Sequence, residues 1–328
     1  MLDLARLQAI HLHTRPLGQL LMAEGVLRWN YGWRGRTEIV IEGIEHLPRN
    51  RSVFLAMNHT DSYNYWPLQY AMHRRGLPYT ATWVKGKYYE KALVARFLDS
   101  MNNIPMPSRG YVITTLFRKV NARTPKEAEY RFLRDLVDGV TDSTGSPPEQ
   151  QSPAVRKVLD QHGGTSAAYL QWFDGYFGAL IGEVVRLNRE AISELGLNVL
   201  VFPQGTRSKR LSRGHTGMVQ MAMHLGADIV PVGCNGSDLV YPGGSPVAKA
   251  GRIVYRFGAP LVWSGPELAP HRVTTPYLPL TQAASTAHGK AFRAVTDLLI
   301  ERINGLLDPP YQLADGSSDG VRGMDRFV

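Results

Sequence analysis

Short apolar runs alternate along the chain with longer segments in which apolar residues recur every three or four positions. The short runs have the length of buried strands, and the longer segments have the period of amphipathic helices. Strands are predicted at residues 39–41, 52–57, 79–84, 197–202, 229–232 and 252–257. Helices are predicted at residues 62–75, 88–98, 124–140, 169–185, 217–225 and 285–307. This alternation of strands and helices predicts an α/β fold.

Three short segments carry the residues best suited to chemistry, and we call them blocks one, two and three. They are residues 58–64 (NHTDSYN), 104–109 (IPMPSR) and 202–208 (FPQGTRS). Block one directly follows a predicted buried strand. Because ligands of open α/β sheets bind beyond the carboxyl ends of the strands, His59 is predicted to lie where chemistry usually takes place.

Block three has the features of a phosphate site. Gly205 lets backbone amides approach an anion, Thr206 offers a hydroxyl group, and an arginine fork grips phosphate with two hydrogen bonds. The cations that follow form a run without an acid, namely Arg207, Lys209, Arg210 and Arg213. A solvated basic loop is the alternative interpretation of that run.

The overall charge agrees with an anionic partner. Lys and Arg number 37 against 28 Asp and Glu, and the resulting net charge of +9 favours phosphorylated substrates, anionic lipids or nucleic acid. No recognised nucleic-acid-binding motif accompanies the charge, so we expect no nucleic-acid partner. The one cysteine, Cys234, cannot form an intramolecular disulfide, which favours a cytosolic setting.

The three blocks resemble those of the PlsC-type glycerolipid acyltransferases, which include lysophosphatidate and glycerol-3-phosphate acyltransferases. That family's first block is His, four residues, Asp. Its third is Phe-Pro-Glu-Gly-Thr-Arg-Ser, which FPQGTRS matches in six of seven positions. Val84-Lys85, the strand at 229–232 and the turn Gly258-Ala259-Pro260 are further similarities. The resemblance implies a mixed, largely parallel sheet flanked by helices, with a helical insertion.

On this basis the chain divides into four parts. They are an N-terminal amphipathic arm (1–35), an acyltransferase-like domain with an insertion at about 120–164 (36–262), a C-terminal loop and helix (263–314) and a disordered tail (315–328). Within the insertion, residues 143–153 (STGSPPEQQSP) are predicted to be a flexible connection.

The resemblance implies transfer of an acyl group from an acyl-CoA or acyl-carrier-protein thioester to the hydroxyl group of a (lyso)phospholipid or glycerolipid acceptor, as in 1-acylglycerol-3-phosphate acyltransferases. His59 is then the general base that removes the acceptor's proton. Arg109, Arg207 and the Gly205-Thr206 backbone are implied to hold the acceptor's phosphate. The thioester is a co-substrate, and neither a metal nor a redox cofactor is implied.

The N-terminal arm has features of a membrane-interface segment, because Trp29, Tyr31 and Trp33 stand close to Arg28. Packing of the arm on the protein's own core is the alternative. No run of about 18 uncharged apolar residues predicts a membrane-spanning helix, and no compact apolar run predicts a signal peptide. We therefore expect a cytoplasmic protein, peripheral on the inner face of the membrane.

Two positions depart from the family pattern, and both replace a carboxylate by an amide. Asn64 stands where the family's Asp orients the histidine, and Gln204 stands in the Glu position of block three. In a serine protease the equivalent Asp-to-Asn change lowers turnover about 10⁴-fold, or on the order of 5.5 kcal/mol of transition-state stabilisation. Asp61 is either a substitute partner for His59 or the N-cap of the following helix.

Two functions stay open at this point. One is the acyltransferase, and the other is a catalytically impaired homologue that binds lipids or acyl thioesters. A phosphate-ester hydrolase is disfavoured because Ser208 lacks the glycine-flanked elbow of a nucleophile. Cys234, His215 and His224 are predicted to be structural or surface residues. The aromatic stripe at residues 169–185 is either core or the wall of a channel for the acyl group.

Overall fold

The computed structural model describes residues 2–33, 36–140 and 152–313. In these residues seven strands form one sheet: β1 Thr37–Glu42, β2 Phe54–Met57, β3 Thr80–Lys85, β4 Asn103–Met106, β5 Asn198–Val201, β6 Ile229–Asn235 and β7 Gly251–Phe257. Their order across the sheet is β1-β7-β6-β2-β5-β3-β4. The β6–β7 pair is antiparallel and the other pairs of this sheet are parallel. The predicted mixed, largely parallel α/β sheet is therefore confirmed.

Helices flank the sheet. They are α1 Leu4–Gln8, α2 Leu17–Leu21, α3 Trp66–Arg74, α4 Ala92–Ser100, α5 Arg109–Asn121, α6 Glu127–Asp138, α7 Pro153–Asp160, α8 Ser166–Arg189, α9 Gly217–Leu225, α10 Ser237–Val240 and α11 Gln282–Asn304. A π-helical segment, Met22–Trp33, continues α2, and a 3₁₀ segment, Gly86–Glu90, precedes α4. No helix of the described part of the chain is both long and apolar enough to cross a membrane.

The predicted insertion is helical where it is described, since α6 and α7 both lie within it. The predicted flexible connection at 143–153 lies outside the described residues except for its last two positions, and the predicted tail at 315–328 lies wholly outside them. At the end of the gap the hydroxyl group of Ser152 accepts a hydrogen bond from the Val155 N–H and caps α7.

The strands separate the core into two layers with the two-residue period of a sheet. In β2, Phe54 and Ala56 pack into the layer that contains the buried face of α8, whereas Leu55 and Met57 pack into the layer beneath α3. The aromatic stripe of α8 is chiefly core, because Tyr169 and Phe173 are fully buried. The N-terminal arm also buries one face, with Leu7 and Ile10 in the first layer and Leu27 and Tyr31 in the second.

Two elements near block two lie where the sequence predicts neither a strand nor a helix. Residues 103–106 form β4 despite Pro105, which has no N–H to donate. This strand is at the edge of the sheet and pairs with β3, so the missing donor removes no bond from a central ladder. Helix α5 begins immediately afterwards, where the hydroxyl group of Ser108 accepts from the N–H of Tyr111.

Helix α3 begins four residues later than predicted. The Asp61 carboxylate accepts the N–H of Tyr63 and closes a turn there, and Pro67 stands in the first turn of the helix. The N-cap of α3 is Tyr65, so the expectation that Asp61 caps this helix is wrong.

The parallel order brings the predicted blocks together. Strands β2, β5, β3 and β4 are neighbours and run in one direction, so their carboxyl ends meet at one edge of the sheet. Block one follows β2, block three follows β5, Lys85 ends β3 and Arg109 follows β4.

Candidate functional site

His59 is held on its ring and on its backbone. The ring stacks on Phe202 with centroids 4.0 Å apart, and Nδ1 lies 3.1 Å from Oδ1 of Asn64. The backbone N–H of His59 donates to Oε1 of Gln204 at 2.8 Å, and its C=O accepts from the N–H of Ser208 at 2.9 Å. Blocks one and three therefore position His59 jointly.

The partner of the imidazole is part of a buried network of amides. Asn64 is fully buried, and its Nδ2 donates to the C=O of Asn58 at 2.8 Å. The Asn58 side chain accepts the backbone N–H of Cys234 and donates to its C=O, which ties block one to β6. The hydroxyl group of Tyr255 donates to the C=O of Asn64. Cys234 is fully buried in the core layer beneath α3.

Asp61 is directed away from the imidazole. One carboxylate oxygen accepts the N–H of Tyr63 at 2.8 Å, and the other accepts the hydroxyl group of Thr60 at 2.9 Å. Its pKa is raised, because burial outweighs the hydrogen bonds, including one from Ser237, that favour the charged form. The structure thus brings Asn64 to His59 and leaves Asp61 out as a substitute partner.

The surroundings of His59 favour a neutral ring. Burial is the largest cause and lowers the pKa of His59 to about 4, although the hydrogen bond with Asn64 acts in the opposite direction. The positive charges of Arg207 and Lys85 lower the pKa further. A histidine in this environment is uncharged near neutral pH, which is the state a general base requires.

Block three forms a tight loop next to His59. Gly205 has a φ of +69°, and a Cβ atom there would lie 2.9 Å from Cδ2 of His215, so both the backbone and the available space favour glycine. Thr206 and Arg207 are exposed after it. The guanidinium group of Arg207 donates to the hydroxyl group of Ser62, which binds block three to block one a further time.

Lys85 supplies a second positive charge beside this loop. It ends β3 and is partly buried, and burial together with Lys87 and Arg207 lowers its pKa. The sequence shows this residue only as a similarity within Val84-Lys85. The signal that points to Lys85 as a candidate site residue is its position at the end of a strand that neighbours β5, the strand before block three.

A cavity of about 980 Å³ opens at this edge of the sheet. Its wall includes Lys85, Arg109, Phe202, Gly205 and Thr206, so blocks two and three face the same space. Within the described residues His59 does not line this cavity. Its ring stacks on Phe202, which does line it. His215, predicted to be structural or a surface residue, also contributes to this wall.

Arg109 lines the same cavity as block three and is already paired. Its Nη1 donates to the carboxylate of Asp138 at 2.9 Å and to Oε1 of Gln282 at 2.6 Å. Asp138 is the last residue of α6 and belongs to the predicted insertion, whereas Gln282 begins α11. The sequence predicts Arg109 as a phosphate ligand but gives no sign of these two partners, which come from distant parts of the chain.

A smaller cavity of about 410 Å³ adjoins the first and shares Arg109, Phe177 and Gln282 with it. Phe177, Gly178, Tyr277 and Leu278 give this second cavity an apolar wall. The stripe of α8 therefore has two roles, since its fully buried rings are core and Phe177 lines both cavities.

Helices α2 and α4 and the π-helical segment expose large apolar side chains. Helix α2 packs against α4, because Gly18 lies so close to Ser100 that no side chain would fit between them. We call the exposed set the outer apolar face: Leu17, Leu21, Val26, Trp29, Leu93, Val94 and Phe97. Leu93 is 80% exposed. Scattered apolar residues are normal on a surface, but a contiguous set usually marks an interaction site.

Comparison with known proteins finds a match around block three. Residues 181–235, which contain β5, block three and β6, match the family model described as acyltransferase. A crystal structure of the 1-acyl-sn-glycerophosphate (LPA) acyltransferase PlsC from Thermotoga maritima is similar at 14% sequence identity, covering 86% of this chain and 78% of that chain with a TM-score of 0.39. No curated protein sequence matches the chain. The match in residues 181–235 confirms the resemblance to acyltransferases that block three carries.

Proposed function

We propose that this protein transfers an acyl group from a coenzyme A or acyl-carrier-protein thioester to the hydroxyl group of a phosphorylated glycerolipid, with His59 as the general base. The observation that carries the proposal is the position of His59, which is held at Nδ1 by Asn64 and joined through its backbone to the glycine loop of block three. A lysophosphatidate-like acceptor fits the positive charges of Lys85 and Arg207 at the same edge of the sheet.

The reaction follows from these positions. The acceptor hydroxyl gives its proton to Nε2 of His59 as its oxygen attacks the carbonyl carbon of the thioester. The tetrahedral intermediate collapses by breaking the carbon–sulfur bond, and the departing thiolate takes the proton back from His59. The products are an ester and a free thiol. Lys85, Arg207 and the backbone amides of block three hold the phosphate, and the residues named require neither a metal nor a redox cofactor.

Thiol release tests the proposal directly. Purified protein is given an acyl-CoA with lysophosphatidate or with monoacylglycerol, and free thiol is measured. We expect release with lysophosphatidate, weaker release with monoacylglycerol, and none above background for His59→Ala. His11→Ala, which changes an exposed histidine of the N-terminal arm, is the matched control and should match the wild type. Release that survives the His59 change would disprove the mechanism.

The same assay separates the second candidate function. The carboxylate-free surroundings of His59 also suit a homologue that binds acyl thioesters or lysophospholipids without turnover. Saturable binding of lysophosphatidate by the wild type, with no thiol release from acyl-CoA or acyl-carrier-protein donors, would favour the binding function over the acyltransferase.

We also propose that the protein is peripheral on an anionic membrane surface and that the outer apolar face contacts the lipid. Exposed Arg15, Lys91 and Arg96 stand in the same segments as this face and complement anionic head groups. The 3₁₀ segment that precedes α4 contributes Lys87 to the cavity wall, which connects this face with the site. A lipid acceptor would then reach the cavity from the membrane side.

Vesicle sedimentation tests this contact. The wild type is expected to sediment with vesicles that contain phosphatidylglycerol, and Leu93→Glu should release it into the supernatant because a charge replaces an exposed apolar contact. Leu239→Glu is the matched control, since Leu239 is 65% exposed on α10, a helix that contributes no residue to this face. Equal sedimentation of all three proteins would refute the assignment of the face.

A further inference from the structure

The two amides that replace carboxylates in the family pattern use both ends of their side chains. Asn64 meets Nδ1 of His59 with Oδ1 and donates from Nδ2 to the C=O of Asn58. Gln204 accepts the backbone N–H of His59 at Oε1 and donates from Nε2 to the C=O of Arg210 at 3.2 Å. Both side chains are buried, so these bonds are shielded from water.

The partners fix which way each amide points. A backbone carbonyl can only accept, so the atom of Asn64 that lies 2.8 Å from Asn58 is the NH₂ group. The atom that faces the imidazole is then the oxygen, and it requires a proton on Nδ1 of His59. Nε2 is left with its lone pair, which makes it the nitrogen able to take a proton from an acceptor.

A carboxylate cannot make the same set of bonds. An ionised Asp at position 64 would place an oxygen against the C=O of Asn58, and an ionised Glu at 204 would do the same to the C=O of Arg210. Each change leaves a buried acceptor without its donor, which is an unfavourable arrangement. A carboxyl group that kept its proton to bond the carbonyl would add no charge next to His59.

We infer that Asn64 and Gln204 are positioning residues that this site requires as amides, and that they hold His59 in the tautomer with a free Nε2. In the serine-protease precedent the Asn variant is slow because the ring adopts the wrong tautomer. That failure does not apply here, because the NH₂ group of Asn64 is occupied by Asn58. The hydrogen-bond network around His59 fits two amides, so replacing them by carboxylates does not raise the activity of the enzyme. The activity part of this inference rests on the proposed function.

The tautomer is measured first, because it does not depend on turnover. The full-length protein is labelled with ¹⁵N-histidine, and the His59 signals are identified by their loss in His59→Gln. At pH 7 the wild type is expected to carry the proton on Nδ1 and to leave Nε2 unprotonated. In Asn64→Leu, which removes both amide contacts at similar volume, the ring should lose this preference. A wild-type ring protonated at Nε2 overturns the inference.

Activity is measured second, with Asn64→Asp and Gln204→Glu. We expect kcat/KM for thiol release to fall by about tenfold or more in each, equivalent to ~1.4 kcal/mol of transition-state stabilisation. A rise of tenfold or more in either variant overturns the inference, because it would identify the missing charge as the defect. If Asn64→Asp does not fold, Gln204→Glu and the wild-type tautomer decide. If the wild type releases no thiol, the proposed function fails while the ring spectrum still decides the tautomer.

Discussion

Replacing Gly205 by Ala perturbs block three at its turn. The residue has a φ of +69°, and the added Cβ atom would meet the ring of His215 at 2.9 Å, closer than Cβ atoms are found to other heavy atoms. The same loop carries the amide that holds His59 and the arginine that contacts Ser62. The substitution therefore strains the loop proposed to bind phosphate and the hydrogen bonds that hold His59.

The loss of stability expected for Gly205→Ala is worked out by comparison with Gly226, the C-cap of α9. Gly226 has a φ of +64°, almost that of Gly205, but nothing lies within 4 Å of the position its Cβ would take. Gly226→Ala therefore measures the left-handed backbone alone, about 1–2 kcal/mol. Gly205→Ala adds the close contact with the ring of His215, so we expect roughly 1 kcal/mol more of destabilisation.

Urea unfolding and thiol release together check this prediction. Gly205→Ala should be the less stable of the two variants and should raise the KM for lysophosphatidate about tenfold, because the loop no longer presents its amides to the phosphate. Gly226→Ala should lose stability only. Equal stability of the two variants would show that the contact with His215 costs nothing, and an unchanged KM for Gly205→Ala would refute the role of this loop in binding the phosphate.

Three further outcomes are expected. The pKa of His59, about 4 when folded, lies below the ordinary 6.5, so the unfolded chain binds more protons between these values and stability falls as the pH decreases from 6.5 to 4. At about 1.4 kcal/mol per pH unit, the free energy of unfolding should fall by roughly 2–3 kcal/mol between pH 7 and pH 4. Urea unfolding at these two pH values should show a smaller fall for His59→Gln, which lacks the titrating ring. Lys85→Met should raise the KM for lysophosphatidate by about tenfold but leave that for monoacylglycerol within about twofold, since only the phosphate meets this charge. Phe173→Ala should lower the free energy of unfolding by about 3–5 kcal/mol, as the side chain is fully buried, and urea unfolding measures this.

Local periodicity is sufficient to predict most of the fold. The long apolar stripe predicts α8, and the runs before blocks one and three predict β2 and β5 close to their observed positions. Periodicity fails where position in the sheet decides the outcome. Pro105 argues against a strand in general, and only the edge position of β4 makes it acceptable.

The site shows the same division. The resemblance to the acyltransferase blocks predicts Asn64 as the partner of His59, and Oδ1 of Asn64 lies 3.1 Å from Nδ1 of the ring. The pairing of Arg109 with Asp138 and Gln282 is beyond prediction, since it depends on the mutual packing of helices α5, α6 and α11. The role of Asp61 is hard to predict, because an Asp near the start of a helix either caps the helix or closes a turn a few residues before it.

The double attachment of His59 to block three affects how this protein could acquire a new acceptor preference. Since Gln204 and Ser208 bond the N–H and the C=O of the histidine, any redesign of that loop also displaces the base. Another part of the cavity wall is held together by the bonds that Arg109 makes with Asp138 and Gln282, and it belongs to helices α5, α6 and α11. An engineer who wants a different head group should therefore vary that wall and leave the loop unchanged.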